Sequence, residues 1–425
     1  MYFRLLPTIV IFSFAFSCVK PTSNEVQTIN AFVGAQLIDG TGHEPITDAV
    51  LLVSNGVVTE VGSRDVIDIP ENAIVTDLTG KTIIPGIINA HGHIGGTEGL
   101  TSSYSQQNVI RDLQLNAAYG VTTVYSLGGD GPESVAIRDE QDSIDLNRSR
   151  LYVAGDVITG NTPEEARRGV DKNAAMNVDF IKIRVDDNLG TTEKMSPPIY
   201  EAIIDQAKTH NLEVVAHIFY LEDAKALLRL GVKFIGHSVR DQAVDEEFIT
   251  LMKEKEATYC PTLMREVSTY VYESTPDFFQ DPFFLAHADT TLINELKKPE
   301  RQLKVKQSES AQRYKAALVM AKGNLKRLSD AGVKIAFGTD TGPPARFQGY
   351  FEHLELEQMV DAGLTPMQTI VAATGNAVYN NNKEQLGTLE KGKKADFIIL
   401  SKDPLSDIRN TRTIESVWIG GNKIQ

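Results

Sequence analysis

Residues 179–238 read DFIKIRVDDNLGTTEKMSPPIYEAIIDQAKTHNLEVVAHIFYLEDAKALLRLGVKFIGHS, and in them short apolar runs alternate with longer amphipathic ones. The short runs DFIKIR, EVVAH and FIGHS have the length and composition of buried strands. Between them, EAIIDQAKTHN and DAKALLRLG carry apolar residues at three- and four-residue spacing, which predicts helices. Strands that alternate with helices in this way form parallel sheets of βαβ units.

The same alternation extends from this stretch in both directions. IIPGIINAH, VTTVYS and LYVAG precede it, and TYCPTL and IAFGTD follow it. Eight such units predict an α/β fold, a (β/α)8 TIM barrel over residues 83–385. The alternative is an open doubly wound sheet, but no glycine-rich phosphate fingerprint follows the first strand, so the barrel is favoured.

Both ends of the chain are β-rich in a different way. Residues 29–82 contain short alternating runs punctuated by Gly and Asn, and residues 386–425 read similarly. Such runs predict strands of a small antiparallel sheet. We expect the two ends to form one discontinuous β-sandwich domain beside the barrel.

The composition excludes several classes of protein. The chain has 425 residues, of which 42% are hydrophobic, and its formal net charge is -14. Disorder and general nucleic-acid binding are therefore excluded. Because Cys18 and Cys260 are the only cysteines in the sequence, a disulfide framework is excluded as well.

The N-terminus has the parts of a signal peptide over residues 1–17. Arg4 precedes the apolar run Leu5 to Phe16, which is short for a membrane span. The segment AFSC resembles the lipobox of bacterial lipoproteins, which implies a lipid on Cys18 and a polar tether over residues 18–28. Ordinary secretion is the alternative. We expect export to the bacterial envelope, periplasm or cell surface, with membrane contact only through the lipid.

Six side chains that can bind a metal or a proton stand at or near the ends of predicted barrel strands. They are His91, His93, Lys182, His217, His237 and Asp340. Strand ends converge on one face of a barrel, and residues two apart, as in HGH, point to the same side. A single strand histidine is more often an ordinary core residue. Four of them, with an aspartate after the eighth strand, indicate a metal centre.

Several strings together resemble the amidohydrolase superfamily of metal-dependent hydrolases: PGIINAHGH, GVTTVYSLGG, GTD, KGKKADFIIL, and the single histidines after strands five and six. DFIKIR with AHIFYLEDAKALLRLGVKFIGHSVRD is similar to the imidazolonepropionase-like and Xaa-Pro dipeptidase (prolidase) branch. The resemblance covers almost the whole mature chain. One departure is Asn89, where the family commonly has Asp, although Asn keeps hydrogen-bonding capacity.

The resemblance implies two divalent metal ions, with zinc as the expected ion, although other first-row ions suit the same ligands. In that pattern the more buried ion is held by His91 and His93, the more exposed ion by His217 and His237, and both by a bridging, carbamylated Lys182. Asp340 would bind the buried ion and take the proton of the bridging hydroxide. The alternative for Lys182 is a structural cation that snorkels or pairs with Asp186 or Asp187.

Tyr220 and Arg240 are predicted to contact the substrate, because each lies three residues beyond a ligand histidine, in a loop on the same face. Arg240 offers a planar fork for a carboxylate, and Tyr220 could hold that carboxylate or the developing oxyanion. Deaminase-like members carry a glutamate at the position of Tyr220, so amide hydrolysis is favoured over ring deamination. The alternative for Arg240 is a structural pair with Asp241, Asp186 or Asp187.

We therefore expect a hydrolase that cleaves an amide or peptide-like C–N bond in a small, carboxylate-bearing substrate, such as a dipeptide or an N-acyl amino acid. One alternative is hydrolysis of a lactone, cyclic amide or ester on the same metals. Another is a binding lipoprotein without catalysis. A homo-oligomer is compatible with the sequence.

Some features match no catalytic motif. Residues 264–306, between the last two barrel strands, contain two Phe-Phe pairs and are expected to serve packing or an oligomer contact rather than a lid. His353 could approach the site from the helix after strand eight. His43, His210 and His287 match no motif.

Overall fold

The computed structural model describes residues 28–143, 145–379 and 385–424. The predicted signal peptide, Cys18 and nearly all of the predicted tether lie outside these residues. No helix within the described ranges is both long enough and apolar enough to cross a bilayer.

The described chain begins with five strands of a small sheet: β1 Asn30–Leu37, β2 Ile46–Ser54, β3 Val57–Ser63, β4 Ile74–Asp77 and β5 Thr82–Pro85. β1 pairs antiparallel with β2, and β2 with β3. However, β1 also pairs in parallel with β4 and β5, so the predicted antiparallel sheet is in fact mixed. The reason is that residues 64–73 cross back to the free edge of β1.

The chain then enters a region of parallel strands. Its strands are β6 Ile87–Gly92, β7 Thr97–Glu98, β8 Thr101–Ser102, β9 Val121–Ser126, β10 Arg150–Val153, β11 Val157–Ile158, β12 Ile181–Val185, β13 Val214–Ile218, β14 Phe234–Gly236, β15 Thr258–Cys260 and β16 Lys334–Ile335. β7 and β8 form a small hairpin. The others pair in parallel in two sheets. One has the order β6-β9-β10, and the other contains β11 to β16 in chain order.

Backbone contacts join the first of these strands to the segment after the last one. The N–H of Ala90 donates to the carbonyl of Phe337, and the N–H of His93 donates to the carbonyl of Thr341. Gly92 and Thr341 also form a parallel bridge. The structure is thus an α/β fold with parallel strands, and these contacts agree with the closure that the predicted (β/α)8 barrel requires.

Helices follow the parallel strands and cover them. They are α1 Gln106–Ala118, α2 Pro132–Asp139, α3 Pro163–Ala175, α4 Pro197–Thr209, α5 Leu221–Arg229, α6 Glu246–Glu254, α7 Leu263–Tyr270, α8 Pro282–Leu285, α9 Thr290–Leu296, α10 Pro299–Lys306, α11 Glu309–Asp330, α12 Tyr350–Asp361 and α13 Pro366–Ala372. α4 and α5 are the two helices predicted from apolar spacing, and each buries one apolar face. One large apolar core lies between strands and helices.

Helices α7 to α10 form the insertion between the last two barrel strands. Phe279 and Phe284 of this insertion are buried in an aromatic cluster with Tyr119, Tyr350 and Phe351. Because these rings belong to three separate parts of the chain, the cluster fixes the insertion against α1 and α12. The insertion thus packs against the rest of the chain, and an oligomer contact stays a prediction.

The last strands return to the first sheet. They are β17 Phe397–Leu400, β18 Ile414–Ile419 and β19 Asn422–Lys423, and β17 pairs antiparallel with β5. The strands from both chain ends form one continuous sheet with apolar residues buried on both faces, where the sequence predicted a sandwich. The predicted run IIPGIINAH divides at Gly86 into β5 and β6. A Cβ at Gly86 would lie 2.1 Å from Oγ1 of Thr122, so a side chain does not fit there.

Candidate metal centre

The six predicted ligand residues lie in or directly after the parallel strands. His91 is in β6 with His93 just beyond it, Lys182 is in β12, His217 is in β13, His237 follows β14, and Asp340 lies beyond β16. His237 and Asp340 have positive φ angles of 84° and 60°. Residues other than glycine rarely adopt this region, and such strain concentrates at functional sites.

Three of these residues converge on one point. Nε2 of His93 is 3.0 Å from Oδ1 of Asp340, and Nε2 of His91 is 3.6 Å from the same oxygen. One ligand atom from each of the three lies within 4.8 Å of the other two. The loop after β16 reaches this point because Gly342 packs on His93, where a Cβ would be 2.1 Å from the carbonyl oxygen of His93.

The other three residues adjoin this group. Nζ of Lys182 is 3.0 Å from Nε2 of His91. The ring centroid of His237 is 4.3 Å from that of His91 and 4.1 Å from that of His217. The structure therefore brings together all six residues that the sequence singled out as ligands.

Three of the four histidine rings each have one nitrogen in a hydrogen bond to a supporting residue. The other nitrogen of each ring is left to bind a metal ion. Nδ1 of His93 is 3.0 Å from the carbonyl oxygen of Gly128, and Nδ1 of His237 is 2.6 Å from Oγ1 of Thr262. Nε2 of His217 is 2.8 Å from Oδ2 of Asp186. Ligand histidines in metal sites commonly make such bonds with the nitrogen that does not bind the ion.

The donor set fits a divalent cation. Because Nδ1–H of His93 donates to a carbonyl, a neutral His93 turns the lone pair of Nε2 toward the Asp340 carboxylate. A cation placed beside these two atoms could be bound by that lone pair and by the carboxylate together. Imidazole and carboxylate are ligands that zinc and other first-row ions accept.

Burial and neighbouring charges shift the pKa values of the groups in this cluster. Burial and the nearby Lys182 charge lower the pKa of His91 well below its usual range, and burial lowers the pKa of His217 to about 3. Burial also lowers the pKa of Lys182 to about 8. Burial alone would raise the pKa of Asp340, but the Arg346 guanidinium helps to hold it well below its usual range. Neutral imidazoles and an ionised carboxylate are the forms that bind metals.

The predicted alternative for Lys182 is not observed. The carboxylate of Asp186 accepts from His217, and Oδ1 of Asp187 accepts from the Tyr220 hydroxyl at 2.8 Å. Lys182 is 3% exposed and forms no ion pair with a carboxylate in the described parts of the chain. Its ammonium form would therefore be a buried cation that contacts the His91 ring but no carboxylate, which is costly.

Arg240 is placed differently from the prediction. Its side chain is fully buried, with Nε 3.0 Å from Oε1 of Glu266, and its Nη1 donates to the carbonyls of Ile218 and Ser238. The structural alternative named three aspartates, whereas the observed partner is a glutamate of α7. In this conformation the guanidinium has no exposed face, so its contact with a substrate stays a prediction that the geometry does not support.

The remaining histidines lie elsewhere. His353 is buried, with hydrogen bonds to the carbonyl of Tyr119 and to Thr411, and these replace the predicted approach to the site. His43 lies beside Asp39, and His210 lies beside Asp171. His287 stacks edge-on to Tyr119.

Sequence reasoning missed Arg346, which lies in the loop after β16. Its Nη1 donates to the backbone carbonyl of Asp340 at 2.9 Å and also contacts the Asp340 carboxylate. It also missed Glu352 of α12, which contacts Asn89 in β6 and Thr341 in the loop after β16. Neither residue lies at a strand end, and the sequence contains no motif that marks them.

Comparison with known proteins decides the family. The amidohydrolase family model matches residues 82–424. The chain belongs to the amidohydrolase family. Among similar proteins, ochratoxinase of Aspergillus niger is 26% identical over 95% of this chain and 88% of that protein. An imidazolonepropionase of Rhodococcus jostii is 21% identical, covering 88% of each chain.

Solved structures of this family show the same fold. A Xaa-Pro dipeptidase crystallised with methionine in its active site superimposes with a TM-score of 0.74 and 20% identity. The match covers 93% of this chain and 99% of that one. The family match confirms the predicted superfamily, and the chain is similar to an imidazolonepropionase and to a Xaa-Pro dipeptidase, the two kinds of enzyme named for the predicted branch.

Proposed function

We propose that this amidohydrolase cleaves an amide or peptide-like C–N bond with two divalent metal ions, zinc being the expected one. The observation that carries this proposal is the convergence of four histidines, one carboxylate and one buried lysine at one end of the parallel strands. Two ions bound there would polarise a carbonyl and make hydroxide available near neutral pH.

The residues divide into two groups around Lys182. His91, His93 and Asp340 would hold one ion, since their ligand atoms already lie within 4.8 Å of one another. His217 and His237 would hold the second ion, with ring centroids 4.1 Å apart.

Lys182 would bridge the two ions as a carbamate. An ammonium has three donors and no lone pair, so it cannot bind a cation. A neutral amine can attack the carbon of CO2, which forms an N–C bond, moves an electron pair to oxygen and releases the amine proton. The product is an anion with two oxygens. Burial of Lys182 without a carboxylate partner among the described residues supports this assignment.

Asp340 would act as the base. It is the only acid in the ligand set, and its carboxylate would take the proton of the attacking water and pass it to the leaving nitrogen. Tyr220 would donate its phenolic hydrogen to the oxyanion or bind the substrate carboxylate. That hydroxyl now donates to Asp187, so it would exchange this partner for the substrate.

We propose dipeptides or N-acyl amino acids as substrates. Arg346 brings a guanidinium, 17% exposed, to the carboxylate of Asp340. On its other side Arg346 lines a neighbouring cavity of about 350 Å³, whose wall includes Phe284 and Phe347 but none of the six proposed ligands. An arginine beside an aromatic wall suits a molecule with a carboxylate and an apolar acyl group. Methionine in the active site of the similar dipeptidase agrees with an amino acid as product.

Substrate profiling of the zinc-loaded chain tests the proposal. The panel contains dipeptides, N-acyl amino acids and their carboxamides, lactones, cyclic amides and esters, with Asp340→Asn as the inactive control. Turnover of the first two classes above the control is expected. Turnover of lactones, cyclic amides or esters alone would favour the alternative reaction. A chain that binds no metal and turns over nothing would favour a binding lipoprotein.

We also propose that the chain is exported and anchored through a lipid on Cys18, on the strength of its lipobox-like sequence. The full-length protein should fractionate with membranes and gain the mass of a lipid at Cys18. A Cys18→Ser variant should lose both properties, and a variant that keeps its membrane association would contradict the proposal.

A further inference from the structure

A second acid, Glu352, lies directly behind the metal centre without being one of its ligands. It belongs to α12 and is completely buried. Its Oε1 accepts three hydrogen bonds, from Nδ2 of Asn89 at 2.7 Å, Oγ1 of Thr339 at 2.9 Å and Oγ1 of Thr341 at 2.6 Å. Three donors on one buried oxygen specify the geometry of all the groups that carry them.

The three donors connect Glu352 to two of the proposed ligands. Oδ1 of Asn89 accepts from the backbone N–H of His91 at 3.0 Å. Thr339 and Thr341 stand on either side of Asp340, whose own N–H donates to the carbonyl of His91 at 2.7 Å. The ends of β6 and β16 are thus joined both directly and through the Glu352 carboxylate.

We infer that Glu352 is a positioning residue, which sets the relative placement of His91 and Asp340 through Asn89 and the two threonines. This inference rests on the proposed function, since it takes these residues to be metal ligands. Glu352 itself contacts neither ligand side chain, so its effect must pass through the three donors.

The direction of the hydrogen bonds requires an amide at position 89. Nδ2 of Asn89 donates both to Glu352 and to Oγ1 of Thr339, the latter at 2.9 Å. An aspartate there would place two buried carboxyl oxygens about as close as the present 2.7 Å contact, so the two acids would repel each other or have to share a proton. Asn89 and Glu352 therefore form a matched pair, with the acid on the helix instead of on the strand.

Exchange of the acid and the amide between these positions tests the inference. The variants are Asn89→Asp, Glu352→Gln and the double variant Asn89→Asp/Glu352→Gln, each in the full chain. The measurement is Zn²⁺ content after equilibration with zinc buffers, which gives an affinity without any turnover. Thermal unfolding of the same samples gives stability separately.

We expect Asn89→Asp to weaken zinc binding by about 10–100-fold, as supporting residues of metal sites typically do. Glu352→Gln keeps an oxygen for the three donors, so its affinity should change by roughly threefold or less. In the double variant the new amide on α12 can donate to the new carboxylate on β6, which should restore most of the lost affinity.

Asn173→Asp is the matched control. The Asn173 amide is also buried and donates to the carbonyls of Ala154 and Asp156 at 2.9 Å and 2.8 Å. It lies in α3 and contacts no proposed ligand. This variant should lose thermal stability and keep the zinc affinity of the wild type.

Two results would overturn this inference without affecting the proposed function. One is an Asn89→Asp variant with wild-type zinc affinity, and the other is a double variant that binds zinc no better than Asn89→Asp. If Asn89→Asp does not fold, the double variant should restore both folding and zinc binding. A double variant that also fails to fold, while Glu352→Gln folds, would overturn the inference as well. A wild-type chain that binds no zinc would instead overturn the proposed function.

Discussion

The two halves of the candidate metal centre are built differently. At the ends of β6 and β16, two histidines surround the carboxylate of Asp340, which lies among the ligand atoms. At β13 and β14, His217 and His237 face each other, and the nearby carboxylate, Asp186, lies behind His217. The first half has its negative charge on a ligand, and the second half has it on a residue that supports a ligand.

This difference explains why a lysine lies between the two halves. A catalytic zinc site usually has three protein ligands and the second half offers two imidazoles, so it needs another ligand, for which an anion is well suited. Lys182 contacts His91 of the first half, its charge also acts on His217 and His237 of the second half, and it supplies an anion only as a carbamate. We therefore expect the first half to bind an ion by itself and the second half to depend on the modified lysine.

Removal of the charge from the first half should have the largest effect. Asp340→Asn takes away both a ligand and the proposed base, and loss of one positioned base typically costs about 10²–10⁴-fold in rate. Steady-state kinetics on a dipeptide, with metal content measured on the same sample, checks this. Wild-type turnover with both metals retained would show that the base lies elsewhere.

Removal of the lysine should separate the two halves. Lys182→Met should leave about one zinc per chain, held by His91, His93 and Asp340, and should lose most of the turnover. Elemental analysis and intact mass, which should show the carbamate only in the wild type, measure this. Lys225→Met is the control, because Lys225 pairs with Asp245 and Glu247 away from the site. Two firmly bound ions in Lys182→Met would contradict the division.

The second half should also depend on a buried ion network in the loop after β14. Arg240→Met leaves Glu266 buried beside Arg265 alone, and loss of one partner of a buried pair costs about 3–5 kcal/mol of stability. Chemical denaturation measures this loss. Any loss of kcat/KM should be equal for a carboxylate substrate and its carboxamide. A loss confined to the carboxylate would restore the predicted recognition role.

A smaller effect on zinc binding is expected when Asp186, the residue that holds His217 in place, is changed. Asp186→Asn keeps the size of the side chain but weakens the bond to Nε2 of His217. Zinc affinity in the second half should fall by about 10–100-fold, while the first ion stays bound. Metal titration that resolves the two sites tests this, and an equal loss at both sites would show that the halves are not independent.

The positions of the ligands could be predicted from the sequence because the local pattern of apolar residues shows where each strand ends. HGH follows an apolar run, and GTD ends one, so the convergence of strand ends in a barrel already places their side chains together. The same local pattern predicted the helices α4 and α5. Short-range periodicity therefore predicted the fold class and placed the six side chains near strand ends, and the resemblance to the amidohydrolase superfamily implied their roles as ligands.

Contacts between distant segments could not be predicted in this way. Glu266 meets Arg240 from an inserted helix, and Glu352 meets Asn89 across 263 positions of sequence. The position of Arg240, three residues after His237, places it in a loop but does not determine the direction of its side chain. The parallel pairing of β1 with β4 and β5 likewise depends on the path of a connection rather than on alternation within a strand.

The smallest expected effect distinguishes the half that faces the substrate. Arg346 contacts Asp340 in the first half and is 17% exposed, whereas Arg240 beside the second half is fully buried. If Arg346 binds a substrate carboxylate, Arg346→Met should lower kcat/KM for a dipeptide or an N-acyl amino acid. Loss of the contact with Asp340 should lower turnover of both substrates, and because water partly screens the charge of Arg346, we expect the loss to be about 3–10-fold larger for the carboxylate substrate than for the matching carboxamide. Equal losses on both substrates would mean that Arg346 acts only by holding Asp340, and the first half would then have no demonstrated contact with the substrate.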